Sequence, residues 1–224
     1  MRVLTWNLFH GRAVPEQPRP LLDEFAAAIA GWDWDLALLQ EVPPWWPQPL
    51  AAASSADQRH VLTSRNVGLA LRRALATRRP DIVKSSGGGA NAILVRPAAG
   101  TITAHATHRL RLRPERRFVH AVQLDGALWV ANIHAQVRPH SLTRADLSLA
   151  GAAVRRWAGD QPTVFGGDCN VEDPRVDGFT DAGGHRVDRV LVRGGLRPLG
   201  EARVLERPHG LSDHAPVVVT MKKL

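Results

Sequence analysis

Several residue types are scarce in this chain of 224 residues, and each absence excludes a class of protein. Cys169 is the only cysteine, which excludes an internal disulfide framework and a cysteine-based zinc site. No uncharged apolar stretch reaches the roughly 18 residues that a membrane span requires. The N-terminal segment MRVLTWNLFHGR lacks the apolar core and the cleavage site of a signal peptide. We therefore expect a cytoplasmic protein without a transmembrane segment, and we expect it to be a monomer.

Lysine is also scarce, because Lys84, Lys222 and Lys223 are the only three. Arginine therefore carries nearly all of the positive charge in a chain whose net charge is +8. A basic chain favours a polyanionic partner such as nucleic acid, and the planar guanidinium group binds phosphate well. A GC-rich coding sequence produces the same arginine bias, so the charge alone is a modest indication of nucleic-acid binding.

The length and the 44% hydrophobic content suit one large α/β or α+β domain spanning residues 1–224. Apolar periodicity predicts helices at 19–31 and 142–158. The buried residues expected in the second helix are Leu142, Leu149, Ala153 and Trp157. Strands are predicted at 2–8, 35–42, 91–95, 101–104, 118–124, 127–133, 162–166, 187–192 and 215–221. The sequence thus predicts many strands covered by a few helices.

The segment 43–90 is harder to interpret. It contains a possible strand near 67–71 and a flexible SSGGG sequence at 85–89. Trp45 and Trp46 suit either a stacking platform for bases or sugars or a hydrophobic lid on the core. Asp125-Gly126 predicts a two-residue hairpin turn between two of the strands.

Polar side chains lie at the ends or beginnings of most predicted strands. They are Asn7, Glu41, His134, Asp168, Asn170, Asp188, Asp213 and His214. Gly166-Gly167, before Asp168, are typical of a turn that closes a strand. If strand directions alternate, these ends meet at one rim of a sheet sandwich. Several carboxylates, two amides and two histidines would then share one cleft.

Carboxylates a few ångströms apart repel one another unless a cation neutralises them. Oxygen-rich ligands without cysteine suit Mg²⁺ or Mn²⁺ better than zinc. A hard cation beside a His-Asp pair is suited to the hydrolysis of a phosphate ester, because the metal offsets charge while the pair transfers protons.

The motifs TWN (5–7), QE (40–41), NIH (132–134), GDCN (167–170), VDRVLV (187–192) and SDH (212–214) occur in that order. Together they resemble the endonuclease/exonuclease/phosphatase superfamily, which includes DNase I-like nucleases. The resemblance runs from residue 3 to 219. It implies a four-layer α/β sandwich of two packed mixed β-sheets flanked by helices.

The resemblance also implies roles for the residues at the matching positions. Asn7, Glu41 and Asp213 would bind the divalent metal. His214 would contact the scissile phosphate and would be oriented by Asp188. The remaining roles are activation of water by Asp168, a hydrogen bond to phosphate from Asn170, and help with the leaving group or the phosphate from His134.

The chain contains no tyrosine, which disfavours branches of the superfamily that need a catalytic tyrosine at the position of His134. Family members commonly have Phe or Leu where this chain has Cys169, and we expect that residue to pack inward. His10 and Arg12 are expected to border the site. The arginines that could clamp phosphates, or form an ordinary solvated face, are Arg113, Arg116, Arg117, Arg138 and Arg144.

Three functions remain open from the sequence. The first is a Mg²⁺- or Mn²⁺-dependent nuclease that attacks DNA or RNA with an activated water. The second is the same chemistry on a small or lipid phosphate ester, as in a phosphatase or phospholipase. The third, which the filled catalytic positions disfavour, is a non-catalytic phosphate-binding module.

Overall fold

The computed structural model describes residues 1–63, 66–78 and 89–223. The strands in this part of the chain are β1 Arg2–Asn7, β2 Leu36–Val42, β3 Asp57–Leu62, β4 Ala90–Val95, β5 Ile102–Arg111, β6 Arg117–Leu124, β7 Leu128–His134, β8 Thr163–Asp168, β9 Thr180–His185, β10 Asp188–Arg193, β11 Leu196–Pro198, β12 Arg203–Val204 and β13 Val217–Lys223. The α-helices are α1 Leu22–Gly31, α2 Pro47–Ala53, α3 Leu69–Arg78 and α4 His140–Ala158.

The strands form two mixed sheets. The first has the order β11-β13-β1-β2-β4-β3, and β12 also pairs with β13. The second has the order β5-β6-β7-β8-β10-β9. Each sheet contains one parallel pair, β1 with β2 and β7 with β8, and the other pairings are antiparallel. A helix links each parallel pair, as a crossover connection requires.

The two sheets pack face to face with helices outside, which is the four-layer sandwich that the resemblance implies. The inner faces bury a mainly aliphatic layer that includes Leu36, Leu38, Ile93, Val122, Val130, Val164 and Val190. Helices α1 and α2 cover the outer face of the first sheet around Trp6, Phe25 and Leu50. Helix α4 covers the second sheet through Leu147 and Val154. Burial of this apolar area is the main stabilising contribution to the fold.

Most predicted elements are present with small shifts at their ends, but β5 runs to Arg111, seven residues beyond the end of the strand predicted at 101–104. The predicted turn at Asp125-Gly126 is confirmed: both residues have positive φ, and the turn joins β6 to β7. The strand proposed near 67–71 is wrong, because this stretch enters α3. Residues 85–88 of the SSGGG sequence lie outside the described residues. Leu149 is exposed rather than buried, because the buried face of α4 runs through Leu147 and Ala150 instead.

Trp46 belongs to the core. It is 6% exposed and contacts the ring of Phe25 at a centroid distance of 5.4 Å, and Trp45 packs partly buried against the same cluster. The hydrophobic lid is therefore the better of the two interpretations. Cys169 is fully buried, as expected. Within the described residues, none of the helices combines the length and apolar character needed to cross a membrane. The single domain, the monomeric state and the cytoplasmic location stay predictions.

Gly166 and Gly167 lie inside β8 and not in a turn after it, which corrects the prediction from sequence. A Cβ atom on Gly166 would lie 2.6 Å from the carbonyl oxygen of Arg189 on β10. On Gly167 it would lie 2.1 Å from the carbonyl oxygen of Ile133 on β7. The two glycines thus let β8 approach both of its neighbours closely, immediately before Asp168.

Gly167→Ala should destabilise the protein strongly. Gly167 has φ of +132°, and the added methyl group would collide with the backbone of β7. We expect the free energy of unfolding to fall by at least about 3 kcal/mol in urea titrations. Gly195→Ala is the matched control, because φ is +81° there but no atom lies within 4 Å of the added Cβ. It should lose about 1 kcal/mol, and equal losses would show that contact with β7 is unimportant.

The stability of the fold should fall in mild acid, in part because of His120. This side chain is fully buried on β6, with Nδ1 3.3 Å from Nε2 of His105. Burial, reinforced by His105 and His60, holds the pKa of His120 well below its usual value. Below pH 6.5 the unfolded chain therefore takes up a proton that the folded chain does not, and unfolding becomes easier.

Removal of the His120 imidazole tests this effect. The stability of His120→Asn should depend less on pH than that of the unchanged protein, by up to about 1.4 kcal/mol per pH unit below pH 6.5. Urea titrations between pH 8 and pH 5 measure the difference. Parallel stability curves over this range would contradict the assignment of a neutral buried His120.

Candidate active site

The ladder around β8 places three ionisable side chains next to one another. Asp168 is the last residue of β8 and pairs with His134, the last residue of the parallel strand β7. On the other side Asp168 pairs with Asp188, the first residue of the antiparallel strand β10. Paired residues on neighbouring strands direct their side chains to the same face of the sheet. The predicted meeting of strand ends and beginnings at one rim is therefore confirmed for the second sheet.

The first sheet brings Asn7 and Glu41 to the same rim. Asn7 ends β1, and its Nδ2 donates to Oδ2 of Asp168 over 3.0 Å, so the two sheets make direct contact here. Glu41 has φ of +50° at an irregularity in the pairing of β2 with β4. Such irregularities redirect side chains at sheet rims. Oε1 of Glu41 lies 3.8 Å from Nε2 of His134.

Asp188 and His214 form a hydrogen-bonded pair, with Oδ2 of Asp188 2.8 Å from Nδ1 of His214. Burial raises the pKa of Asp188 to about 6, although the hydrogen bond from His214 opposes this. Burial works against a charged His214, but the hydrogen bond and the negative charge of Asp188 outweigh it and raise the pKa of His214 to about 9. Near neutral pH the pair is therefore ionised. Nδ1 is occupied by Asp188, and Nε2, the other N–H of the imidazolium, lies 3.9 Å from Oδ2 of Asp168.

Asp168 is almost fully buried, with each carboxylate oxygen accepting one hydrogen bond. Oδ1 accepts from the backbone N–H of Asn170 at 3.0 Å, and Oδ2 accepts from Asn7. Burial raises the pKa of Asp168, and the charge of His214 opposes the shift. The carboxylate is thus held in place and is more basic than an exposed aspartate. Both properties suit a group that accepts a proton from water.

His134 differs from His214 in charge. Its Nε2 lies 3.5 Å from Oδ2 of Asp168. Burial and the positive charge of Arg117 hold the pKa of His134 well below its usual value, so the ring is neutral near pH 7. Asn170 has φ of +52°, and its Nδ2 donates to the carbonyl of Ala135 at 2.9 Å. The amide has a second N–H, which the predicted contact with phosphate can use.

Two motif residues without a predicted role tie the sheets together behind the site. Nε2 of Gln40 on β2 donates to Oδ1 of Asn132 on β7 at 2.8 Å. Nδ2 of Asn132 donates to the carbonyl oxygens of Leu39 and Ala92, both at 2.9 Å, in the opposite sheet. Both side chains are completely buried. Their position in otherwise apolar strands was the signal available in the sequence, because buried polar groups need partners.

Two further motif residues hold the loop that carries His214. Trp6 Nε1 donates to the carbonyl oxygen of His214 at 2.9 Å. Ser212 Oγ donates to the carbonyl oxygen of Asn7 at 2.6 Å and accepts from the backbone N–H of His214 at 3.0 Å. The loop is thereby fixed to the end of β1. The uncharged motif residues Trp6 and Ser212 thus position the charged motif residue His214.

The oxygen atoms around Glu41 are suitable ligands for a hard divalent cation. Burial raises the pKa of Glu41 and the negative charge of Asp213 adds to the shift, while Arg117 opposes it. His10 approaches the carboxylate at 3.1 Å, which places it at the border of the site as expected. Carboxylate and amide oxygens of Glu41, Asp213 and Asn7 are ligands that Mg²⁺ and Mn²⁺ prefer. The assignment of these three residues as metal ligands stays a prediction.

A second group of possible ligands lies at the same rim. Among the described residues, Asp168, Asp188 and His214 have ligand atoms that all lie within 4.8 Å of one another. Nδ1 of His214 already bonds to Asp188, and Asp168 accepts two hydrogen bonds. The roles of these three residues in proton transfer and phosphate binding stay predictions. Asp213 is exposed and lines a cleft of about 360 Å³ with Asp188 and His214.

The predicted phosphate-binding arginines have different environments. Arg116 lines a small cavity with Glu41 and His134, and its Nε and Nη2 donate to the carbonyl oxygen of Thr63. Arg117 lines the same cavity and is buried. Arg113 and Arg138 are exposed, and their guanidinium groups form no hydrogen bond within the described part of the chain. The structure thus brings Arg116 and Arg117 to the site, and the substrate contacts of Arg113 and Arg138 stay predictions.

Comparison with known proteins identifies the family. The sequence profile of the endonuclease/exonuclease/phosphatase family matches residues 4–214. The chain belongs to this family. Its members hydrolyse phosphoesters, so the chain is a phosphoester hydrolase. The matched range includes every residue of the rim described above. A search of curated proteins gave no match to the sequence.

Solved structures share the fold at low sequence identity. An endonuclease/exonuclease/phosphatase from Bacteroides vulgatus matches with a TM-score of 0.73 and 16% identity over 100% of this chain and 98% of that one. The mannosyl-6-phosphatase Bt3783 of Bacteroides thetaiotaomicron matches with a TM-score of 0.71 and 14% identity over 99% of each chain. TDP2 from C. elegans matches with a TM-score of 0.70 and 19% identity over 98% of this chain and 74% of that one.

Asn132→Leu should destabilise the protein by about 3 kcal/mol, because two buried carbonyl groups and an N–H of Gln40 lose a partner. Gln40→Leu supplies the second arm of a double-mutant cycle. We expect the double variant to be more stable than the sum of the single losses predicts, by about 1–2 kcal/mol. Urea titrations of the four proteins measure this coupling. Strictly additive losses would show that the two amides do not act together.

Proposed function

We propose that the chain is a divalent-metal-dependent phosphodiesterase that cleaves nucleic acid, with DNA as the first candidate and RNA as the second. The observation that carries the proposal is the ionised Asp188–His214 pair beside the buried carboxylate of Asp168, all at one rim. This arrangement supplies a cationic donor and a basic acceptor on one cleft. Both accelerate the hydrolysis of a phosphate ester, because one offsets developing charge and the other accepts a proton from water.

Each side chain has a role that its contacts support. Nε2–H of His214 faces the cleft and donates to a phosphate oxygen, while Asp188 holds the ring and its charge. Asp168, held by Asn7 and Asn170, accepts the proton of the attacking water. The neutral His134 assists at the leaving group or the phosphate, and the second N–H of Asn170 donates to the phosphate.

Asn7, Glu41 and Asp213 would hold Mg²⁺ or Mn²⁺ at the Glu41 side of the cleft. The bound cation supplies positive charge that stabilises the negative charge developing on the phosphate. Glu41 contributes a carboxylate whose approach to the rim is fixed by its backbone conformation. Arg117 and His10 keep this carboxylate facing the cleft, since one attracts it through its charge and the other contacts it.

The net charge of +8 supports nucleic acid as the substrate, because a polyanion is attracted to a basic surface. Arg116 and Arg117 bring part of this charge to the site itself. The lengths of the cleavage products would distinguish an endonuclease from an exonuclease.

A second candidate keeps the same chemistry on a small or lipid phosphate ester. The likeness to the mannosyl-6-phosphatase of Bacteroides thetaiotaomicron favours it, since that neighbour covers almost the whole chain. In that case the arginines around the cleft would contact a single phosphate group.

The proposal predicts metal-dependent cleavage of DNA. The purified protein with Mg²⁺ or Mn²⁺ should cleave DNA in a panel of plasmid, single-stranded and abasic DNA, RNA, inositol phosphates, mannose 6-phosphate and sphingomyelin. EDTA should abolish the cleavage. His214→Ala and Asp168→Asn should each lower kcat/KM about 10³-fold, because each removes a group that acts in the transition state.

Asp160→Asn is the control, since this exposed aspartate precedes the start of β8, at the end of the strand opposite to Asp168. It should retain the activity of the unchanged protein. Turnover of the small esters alone would replace the nuclease by the second candidate. Turnover of no substrate in the panel would contradict an active phosphodiesterase.

A further inference from the structure

The loop that follows β7 is held by helix α4, and the roles assigned above do not use this contact. The loop begins with Ala135 and Gln136, directly after His134. Oδ2 of Asp146, in the second turn of α4, accepts the backbone N–H of Gln136 at 2.9 Å. Oγ1 of Thr143, in the turn before, donates to the carbonyl oxygen of Gln136 at 2.6 Å. Both polar groups of the Gln136 backbone are therefore bonded to side chains of the helix.

A buried ion pair fixes Asp146 in turn. Its Oδ1 accepts from Nε of Arg111, the last residue of β5, at 2.6 Å. Nη2 of Arg111 donates to the carbonyl oxygen of Leu142 at 2.9 Å, so the guanidinium group contacts α4 at two points. The side chain of Asp146 is completely buried, and that of Arg111 is 11% exposed. Both oxygens of the buried carboxylate thus have a hydrogen-bond donor.

Stability alone does not account for an ion pair at this position. Removing two charges from water is costly, and well-packed apolar side chains of similar volume often stabilise a fold equally well or better. The other contacts between α4 and the second sheet are of that apolar kind, through residues such as Leu147 and Val154. The carboxylate supplies direction instead, because hydrogen bonds have a preferred geometry and its two bonds fix the backbone of Gln136 in one place.

The anchored loop is bonded to the catalytic rim one residue before Gln136. The backbone N–H of Ala135 donates to the carbonyl oxygen of Asp168 at 2.9 Å. The carbonyl oxygen of Ala135 accepts from Nδ2 of Asn170 at 2.9 Å, which orients the amide that is proposed to bind phosphate. On its other side Ala135 is joined directly to His134. A shift of this short segment would therefore move the ring of His134 and the amide of Asn170 together.

We propose that Asp146 is a positioning residue for His134 and Asn170, and that its ion pair with Arg111 holds both side chains in the geometry that the reaction requires. The inference rests on the proposed phosphodiesterase function and extends it to a side chain that is completely buried. Asp146 takes no part in the chemistry itself. Because a misplacement of about 1 Å can lower a rate about a hundredfold, a residue that acts through the backbone can still determine kcat.

Asp146→Asn tests this role with little change in side-chain volume. One carboxylate oxygen is replaced by an NH2 group, which faces either the N–H of Gln136 or the guanidinium of Arg111 and cannot accept a hydrogen bond from it. With bis(p-nitrophenyl) phosphate and Mn²⁺, we expect kcat to fall about thirtyfold. The assay is run in conditions where urea titrations show each variant to be folded.

Asp35→Asn is the matched control, because it also breaks a carboxylate–arginine pair that holds a backbone N–H. Oδ2 of Asp35 accepts the backbone N–H of Arg2 at 2.7 Å, and Oδ1 accepts from Nη2 of Arg2 at 2.8 Å. This pair lies at the start of β1 and β2, at the end of both strands opposite to Asn7 and Glu41. The variant should lose stability and keep kcat within about twofold of that of the unchanged protein.

Double-mutant cycles separate positioning from a purely structural role. If Asp146 acts through Asn170 and His134, the loss of kcat caused by Asp146→Asn should shrink to less than about tenfold in the Asn170→Ala background, and likewise in the His134→Ala background. A purely structural role gives the same loss in every background. If Asp146→Asn does not fold, Thr143→Val replaces it, because it keeps the shape of the side chain and removes only the hydroxyl group. Thr143→Val should lower kcat about fivefold, with the same dependence on the background.

Nuclear magnetic resonance gives a measurement that does not need catalysis. The ring signals of His134 and the side-chain amide signals of Asn170, assigned by their loss in the alanine variants, should shift in Asp146→Asn and stay in place in Asp35→Asn. Unchanged signals, an unchanged kcat, an equal loss of kcat in every background, or a comparable loss in Asp35→Asn would each overturn the positioning role. If the unchanged protein hydrolyses no phosphodiester, the proposed function fails, and the resonance comparison still decides whether Asp146 positions the two side chains.

Discussion

The hydrogen bond between Gln40 and Asn132 fixes one β-sheet against the other, and the site depends on that relation. The rest of the interface between the sheets is mainly aliphatic, and aliphatic contact has no preferred direction. Sheets held only by such contact can settle in several relative positions. The amide pair has one good geometry, and it lies directly behind the rim. Asn7 and Glu41 on the first sheet thereby keep their distances to His134 and Asp168 on the second.

Burial and neighbouring charged groups give the two histidines of the site different charge states. His214 has a carboxylate against its ring, and the resulting pKa of about 9 keeps it cationic at neutral pH. His134 has a buried arginine nearby and no such carboxylate hydrogen bond among the described residues, so it stays neutral. A rim with four carboxylates can therefore offer both a positive donor and an uncharged ring. Neither state could be assigned from the two histidines alone, because both lie next to apolar strands.

Much of this arrangement could be predicted from the sequence. The parts that could not be predicted have identifiable physical reasons. Strands such as β2 and β7 are strongly apolar and end in ionisable groups, so their positions and the rim were predictable. The short β9 contains two glycines and little apolar alternation, so its sequence does not indicate a strand. Around 67–71, Leu69 and Leu71 alternate like strand residues, yet the chain there enters a helix. Gln40 and Asn132 are hydrogen-bond partners that lie 92 residues apart in the sequence. No local sequence pattern identifies such a pair.

The hydrogen bond from Ser212 to Asn7 has a consequence for how activity is acquired during folding. These residues are 205 positions apart, and the bond between them joins the loop of His214 to the first strand. The pairing of β1 with β13 joins residues that are equally far apart in the sequence. Both contacts therefore depend on the same meeting of the first and last strands, and closing so long a loop is entropically costly. The imidazole of His214 reaches Asp188 only when these two strands are both in place, so a chain that has not joined them lacks a complete active site.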